Sequence, residues 1–509
     1  MSETIKHLFN PKFLHMTLFG FSAGIPYFLI FSSLSLWLDQ VGVEKSAITY
    51  FSWAALGYSF KFLWSPLVDR LPIPVLTAKL GQRRSWLILI QLLIVFAICW
   101  MGFTDPAQGI NALTQMAFAV TLLGFSAATQ DILIDAWRIE ASNEKDITML
   151  SSVYIVGYRL GMITSGAGAL LIADHFGTSM DNYKYSAWQY SYLIMATCML
   201  VGLITTIKIK EPKKADSLVY QTRDYAAVLL IFIMAIIALI LCYQYTDQFF
   251  LSLQKPLIAW FNNEPLAAFM TTSGQLFLAI ALAAFIGTLV AKSPIVNRAM
   301  VKEVYWIPVA DLFKRHRKHV WLLIGIICTY RISDIVMGVT ANLFYQHMGF
   351  DLDEIAGIVK TFGLIMTISG GLVGGVLVVR YGIIKMMILG ATLSALTNLL
   401  FMIMASTGKS LIFLTFMISA DNLSQGLALA VFVGFLSMLV NRQFTAVQYA
   451  MFSSVMTLFP KIMGGYSGTM VEQMGFASFY LMTAIIGIPV VVMLIYAMKK
   501  QAFEFNQSS

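Results

Sequence analysis

Two stretches decide the fold: "MLSSVYIVGYRLG" at 149–161 and "MFSSVMTLFPKIMG" at 451–464. They align from their first residue without a gap. Met149 meets Met451, Ser151, Ser152 and Val153 meet Ser453, Ser454 and Val455, and Arg159 meets Lys461. Self-similarity between distant hydrophobic segments marks a fold built twice from one plan. The surrounding chain then has to place both segments at the same position within two equivalent halves.

It does. Of the 509 residues 58% are hydrophobic and 12% charged, against roughly 25% charged in soluble domains. The deficit runs the whole length, so the chain reads as an all-α integral membrane protein. About 20 apolar residues suffice to cross a bilayer. Fourteen such runs occur, at approximately 13–37, 47–68, 85–103, 111–135, 148–173, 188–207, 225–245, 265–291, 320–345, 354–379, 383–404, 409–439, 447–470 and 475–498. The first is longer than the roughly 7–15 residues of a signal-peptide core and reads as an uncleaved helix. With 225–245 and 265–291 set aside, each repeat segment is the fifth run of six. Two looser matches keep the same order: Asp131 and Asp421 lie in the fourth runs, and "WLDQVGVEKSAI" (37–48) and "FYQHMGFDLDEI" (344–355) join first run to second. The expected organisation is a six-helix bundle over 1–210, a linker with two extra transmembrane helices over 211–307, and a second six-helix bundle over 308–500.

Lys and Arg collect on cytoplasmic loops. Here they gather at 70–84, 208–223, 292–318, 380–385 and 499–500 and thin out at 39–45, 105–109 and 351–354. Both termini are therefore expected in the cytoplasm, and the net charge of +8 calls for no nucleic acid. The segment "PVADLFKRHRKH" (308–319) reads as an interfacial stretch against anionic lipid. Four cysteines lie in apolar runs without CxxC spacing, and no metal-ligand pattern involves the six histidines, so neither a metal nor a cofactor is expected.

Ionisable groups cost about 2.5–3.5 kcal/mol each at the centre of a membrane helix and usually face an aqueous cavity. The second run carries Lys61, nine residues before Arg70, and the fourth carries Asp131, seven before Arg138. At about 1.5 Å rise per residue the two share a depth. Asp131 and Asp135 share a helix face, with Gln130 beside them. Arg159 lies about 18 Å into the fifth run at that rise. The second half has Arg331 and Asp334 in "YRISD", then Lys360, then Asp421, Asn422 and Gln425 in "ADNLSQG", then Lys461. Asp135 can also be read as an interfacial carboxylate paired with Arg138, and Arg331–Asp334 as a neutralised structural pair. Gly370 and Gly374 in "ISGGLVGGV" read as a packing face, because no strand precedes them.

Two half-bundles with buried charges from both describe alternating access around a midplane site. Asp131, Asp135, Asp334 and Asp421 are candidates to exchange a proton between states. Gln130, Lys61, Arg159, Arg331, Lys360, Asn422, Gln425 and Lys461 are candidates to bind substrate, and the excess of cations favours an anionic one. An intramembrane enzyme would need a nucleophile–base pair or a metal motif such as HExxH; the sequence holds no HExxH, so the chain does not read as an enzyme. A receptor without transport would want a signalling domain, and none is apparent.

Several stretches resemble one family. "FSAGIPYFLI" (21–30), "FKFLWSPLVDR" (60–70), "GQRRSW" (81–86), "ATQDILIDAW" (128–137), "GYRLGM" (157–162), "YRISD" (330–334) and "VKTFGL" (359–364) are similar to the AmpG-type muropeptide permeases of the major facilitator superfamily. The resemblance implies a major facilitator-like fold and proton-driven import of anhydro-muropeptides across the bacterial inner membrane, for cell-wall recycling linked to β-lactamase induction. It implies that Gln130, Asp131 and Asp135 form the polar core of the fourth helix, that Lys61 and Arg159 are its cationic neighbours, and that Gly24 permits close approach or bending in the first. By family analogy the protein works as a monomer in contact with membrane lipid. "YRISD" and "ADNLSQG" depart from the family, where lysine and glutamate are expected for the arginine and the first aspartate. The extra helix pair sits between the halves rather than at the end of the chain, as in some relatives. The alternative cargo is another large anion, such as a siderophore or an acyl-CoA.

Overall fold

Within lipid a helix satisfies its own backbone amides, and the apolar runs fold accordingly. The computed structural model describes residues 11–43, 51, 56–178, 182–212, 221–262, 264–294, 296–351, 354–464 and 467–503. The first half comprises α1 (Pro11–Gln40), α2 (Leu56–Phe60), α3 (Ser65–Arg70), α4 (Gln82–Gly102), α5 (Ile110–Ala141), α6 (Asp146–His175) and α7 (Tyr185–Lys208). Two long helices follow, α8 (Thr222–Phe261) and α9 (Glu264–Ala291). The second half comprises α10 (Val320–His347), α11 (Gly357–Tyr381), α12 (Ile383–Thr407), α13 (Leu411–Leu439), α14 (Thr445–Gly464) and α15 (Ser467–Lys499).

Among the described residues twelve helices are long and apolar enough to cross a membrane, where the sequence led us to expect fourteen spans. The two runs not counted are 47–68 and 447–470. In the first, residues 47–50 and 52–55 lie outside the described ones, and the rest is broken. Pro66 has no N–H to give the carbonyl of Phe62 four residues back. The Ser65 hydroxyl donates to that carbonyl instead, at 3.1 Å, and the chain tightens through Lys61–Leu63 between α2 and α3. The second run falls on α14, whose apolar character is diluted by Ser453, Ser454, Thr457 and Lys461.

Glycines set the closest approaches. Gly20 and Gly24 of α1 lie against the carbonyls of Tyr154 and Tyr158, and Gly157 and Gly161 of α6 lie against those of Thr17 and Phe21. A Cβ at any of the four would collide with backbone. The second half repeats the device: Gly370 of α11 faces the Leu423 carbonyl, Gly426 of α13 faces that of Thr367, and a Cβ at Gly374 would stand 3.1 Å from Leu427.

The two repeat segments, on α6 and α14, are the helices that cross between halves. α6 packs on α11 and α13, and α14 packs on α2, α3 and α5. At the end rich in Arg, polar contacts tie the halves together. Buried Arg83 pairs with Asp69 and Glu140, both at 2.6 Å. The Thr445 hydroxyl donates to Glu140 at 2.7 Å, and Arg442 donates to the Ser142 carbonyl at 2.8 Å. The α8–α9 hairpin packs chiefly on itself; Tyr225, Val228 and Phe232, in the first turns of α8, join the core of the first half. Part of 308–319 forms a short helix, Ile307–Arg315, that buries Pro308 and Leu312. It is fixed to the second half by Arg315, which donates to the Leu439 carbonyl and the Gln448 side chain, both at 3.0 Å.

Candidate functional site

The break between α2 and α3 turns Lys61 inward, toward α5. Lys61 Nζ lies 3.8 Å from Asp135 Oδ2, and Arg138 lies 3.1 Å from the other oxygen of the same carboxylate. All three side chains are buried. One turn back on α5, Asp131 Oδ1 accepts a hydrogen bond from the Tyr154 hydroxyl at 3.2 Å. Lys61, Asp135 and Arg138 are all within electrostatic reach of Asp131. Gln130 is wholly buried, and neither its amide oxygen nor its nitrogen meets a hydrogen-bond partner among the described residues. An unsatisfied buried amide costs about 1–3 kcal/mol, which a bound polar group would relieve.

Arg138 is more than an end marker. It is wholly buried, donates across the interface to Ser437 of α13 at 3.1 Å, and lies over the rings of Tyr154 and Tyr449 at 5.8 and 5.1 Å. One guanidinium therefore joins Asp135 to the opposite half.

The second half holds a comparable cluster. Arg331 Nε lies 3.8 Å from Asp334 Oδ2, too long for a hydrogen bond. Asp421 accepts from Thr397 at 3.1 Å and from Gln425 at 2.8 Å, and lies within reach of Asp334. Asn422 accepts from Thr367 at 2.9 Å, where α11 and α13 touch, and donates to the Ile418 carbonyl at 3.1 Å.

Two arginines from opposite halves, Arg159 of α6 and Arg331 of α10, are within electrostatic reach of each other. The hydrogen-bonding contact of Arg159 is a weak one, to the sulfur of Met162 at 3.8 Å, and it has no ion-pair partner among the described residues. Like charges held together in a low-dielectric interior repel strongly unless an anion lies between them. The other two lysines are set differently: Lys360 is exposed and donates to Asn342 at 2.9 Å, and Lys461 is exposed.

Four tyrosines had no place in the sequence reading. Phe31, Tyr27, Tyr158 and Tyr154 form a series with ring centroids 4.8, 6.4 and 6.0 Å apart, ending at Asp131. The buried hydroxyl of Tyr58 has no hydrogen-bond partner among the described residues and lies within electrostatic reach of Asp131. The available signal was the i, i+4 spacing of Tyr154 and Tyr158 on the helix that carries Arg159. Rings of this kind offer apolar faces with a polar rim, the complement of a sugar ring. Opposed guanidiniums offer bidentate recognition of carboxylates.

Comparison with known proteins shows the family. The pattern of the Major Facilitator Superfamily matches residues 16–458. The chain is 29% identical over 489 residues to a protein of Rickettsia felis called "Putative transporter AmpG 4", covering 96% of this chain and 97% of that one. It is 26% identical over 508 residues to the "Anhydromuropeptide permease" of Escherichia coli, covering 99% and 83%. Among solved structures it resembles the proton:xylose symporter XylE bound to 6-bromo-6-deoxy-D-glucose, with a TM-score of 0.57 and 12% identity over 97% of this chain and 94% of that one. The Escherichia coli fucose:proton symporter FucP gives 0.54 and 11% over 97% and 98%.

Proposed function

The chain belongs to the Major Facilitator Superfamily, and we propose that within it this transporter imports anhydro-muropeptides, GlcNAc-anhydro-MurNAc with or without peptide, across a bacterial inner membrane. The observation that carries the substrate class is Arg159, without an ion-pair partner among the described residues and within electrostatic reach of Arg331 from the opposite half. An anion bound between them relieves their repulsion and ties the halves together. The free lactyl carboxylate of the form without peptide, or the peptide carboxylates of the others, suits the guanidiniums, and the sugar rings suit the series Phe31, Tyr27, Tyr158. The similarity to proteins named as muropeptide permeases supports the same cargo.

Transport is driven by protons in this reading. Asp131 and Asp421 are the carriers, because each is held by hydrogen bonds from neutral side chains rather than by a direct salt bridge. Asp135 and Asp334 sit beside arginines and set the local field. Both termini face the cytoplasm, the protein works as a monomer, and the imported product feeds cell-wall recycling and the signal for β-lactamase induction.

The test is uptake of labelled GlcNAc-anhydro-MurNAc by proteoliposomes of the purified protein, with and without an inward proton gradient. Accumulation stimulated by the gradient supports both cargo and coupling. Equilibration without accumulation keeps the cargo and removes the coupling. No uptake, in protein that binds another large anion, replaces the cargo.

A further inference from the structure

Where the α8–α9 hairpin stands away from the first half, it leaves a cavity of about 560 Å³, within the ~300–1,000 Å³ range of small-molecule sites. Phe60, Leu63 and Trp64 wall it on the broken segment, Phe125 on α5, and Ile236 and Leu276 on the hairpin. Its few polar atoms are committed inside the protein. The Thr121 hydroxyl donates to the Ala117 carbonyl of its own helix at 2.8 Å, and Trp64 Nε1 donates to the Thr129 hydroxyl at 3.0 Å. Among the described lining residues a polar ligand would meet little but apolar surface.

Depth names the occupant. Phe125 lies about 22 Å along α5 from Ile110, and Ile236 about 21 Å along α8 from Thr222, at ~1.5 Å per residue. Both walls therefore run within a hydrocarbon layer ~30 Å thick. At that depth the surroundings supply hydrocarbon chains, and an empty apolar cavity forfeits the dispersion contacts that one chain restores.

We propose that this cavity is a binding site for one acyl chain of a bilayer phospholipid, and that the chain braces the break carrying Lys61. The same few residues have two faces. Phe60, Leu63 and Trp64 meet the cavity, while Lys61 between them pairs with Asp135. Trp64 bonds to Thr129, next to Gln130 on α5. The occupant thus supports the polar cluster from behind without touching it. This assignment rests on the cavity alone and is independent of the transported cargo.

Photo-crosslinking of the full-length protein tests it. The protein is reconstituted with phosphatidylethanolamine bearing a diazirine in mid-chain, irradiated and digested, and adducts are mapped by mass spectrometry. Adducts are expected on the peptides carrying Phe60–Trp64, Phe125 and Leu276, at least threefold denser than on the exposed mid-helix control around Leu396 of α12. Filling the cavity with Leu276→Trp, or with Ile236→Phe should the first variant not fold, is expected to abolish that excess and leave the control unchanged. Hydrogen exchange at 60–64 reads the brace: amides there are expected to exchange several-fold faster in short-chain detergent than in bilayers, and Leu276→Trp to slow them in detergent. Labelling no denser than the control, or undiminished by either variant, overturns the site. Exchange indifferent to both lipid and variant overturns the brace.

Discussion

Lys61, Asp131 and Asp135 were readable from sequence because depth along a helix is a matter of counting. Counting back from Arg70 and Arg138 put Lys61 at the depth of Asp131, whereas the structure pairs it with Asp135, one turn nearer Arg138, at 3.8 Å. The tyrosines were not readable, since a tyrosine in an apolar run suits lipid interface, core and cavity alike. Arg138 was read as an end marker because its partners, Ser437 and Tyr449, are distant in sequence. Two predictions belong to this scale. Asp131→Asn keeps an oxygen to accept from Tyr154 but has no proton to exchange, so it is expected to abolish accumulation under a proton gradient while exchange of labelled for unlabelled substrate persists. Undiminished accumulation would remove Asp131 from coupling. Arg159→Met deletes one guanidinium facing the cargo. A charge-assisted hydrogen bond contributes about 1.5–3 kcal/mol, so KM for GlcNAc-anhydro-MurNAc should rise by about 10- to 100-fold; an unchanged KM would place the anion elsewhere.

At the scale of elements, apolar runs announced most of the helices but hid how closely they pack. The pairing of "GFSAGIP" in α1 with "GYRLG" in α6 joins spans more than a hundred residues apart, and nothing within either stretch names its partner. The break before Pro66 also escaped a reading based on hydropathy, since "FKFLWSP" is apolar except for Lys61 and Ser65. The extra hairpin was visible as two runs, while its loose seating depends on side chains of the first half that are distant in sequence. Gly24 tests the packing. A Cβ there meets the backbone of Tyr158 rather than a side chain that could swing aside, so α1 and α6 must separate. Gly24→Ala is expected to destabilise the protein by roughly 1–3 kcal/mol, the usual cost of overpacking, seen as a lowered thermal midpoint in detergent. Gly338 of α10, where an added Cβ has nothing within 4 Å, is the control, and its alanine variant should keep or raise the parental midpoint, because alanine favours a helix interior. Equal midpoints for both variants would mean that the α1–α6 contact contributes little.

For the molecule as a whole, the repeat at 149–161 and 451–464 carried more than the count of spans. Two copies of one plan imply an interface between them, and the repeat lies on α6 and α14, which make that interface. Sequence could not say which end of the interface is closed, because closure depends on contacts between halves that the repeat leaves unspecified. In this structure the arginine-rich end is held by Glu140 with Thr445, Ser142 with Arg442, and Arg138 with Ser437. If transport alternates between the two ends, those contacts must part once per cycle, and fixing them must stop it. Ser152 and Gly375 allow the test. An ideal Cβ on Gly375 stands 3.1 Å from that of Ser152, short of the roughly 3.5–4.5 Å of a disulfide, so a separation of about half an ångström admits the bond. In a background cleared of Cys99, Cys198, Cys242 and Cys328, Ser152→Cys with Gly375→Cys is expected to transport when reduced, to stop when oxidised, and to recover with dithiothreitol. Each single variant should be indifferent to oxidant. A cross-linked protein that still accumulates substrate would mean that α6 and α11 stay together throughout the cycle, and the moving boundary would have to be sought elsewhere than between the halves.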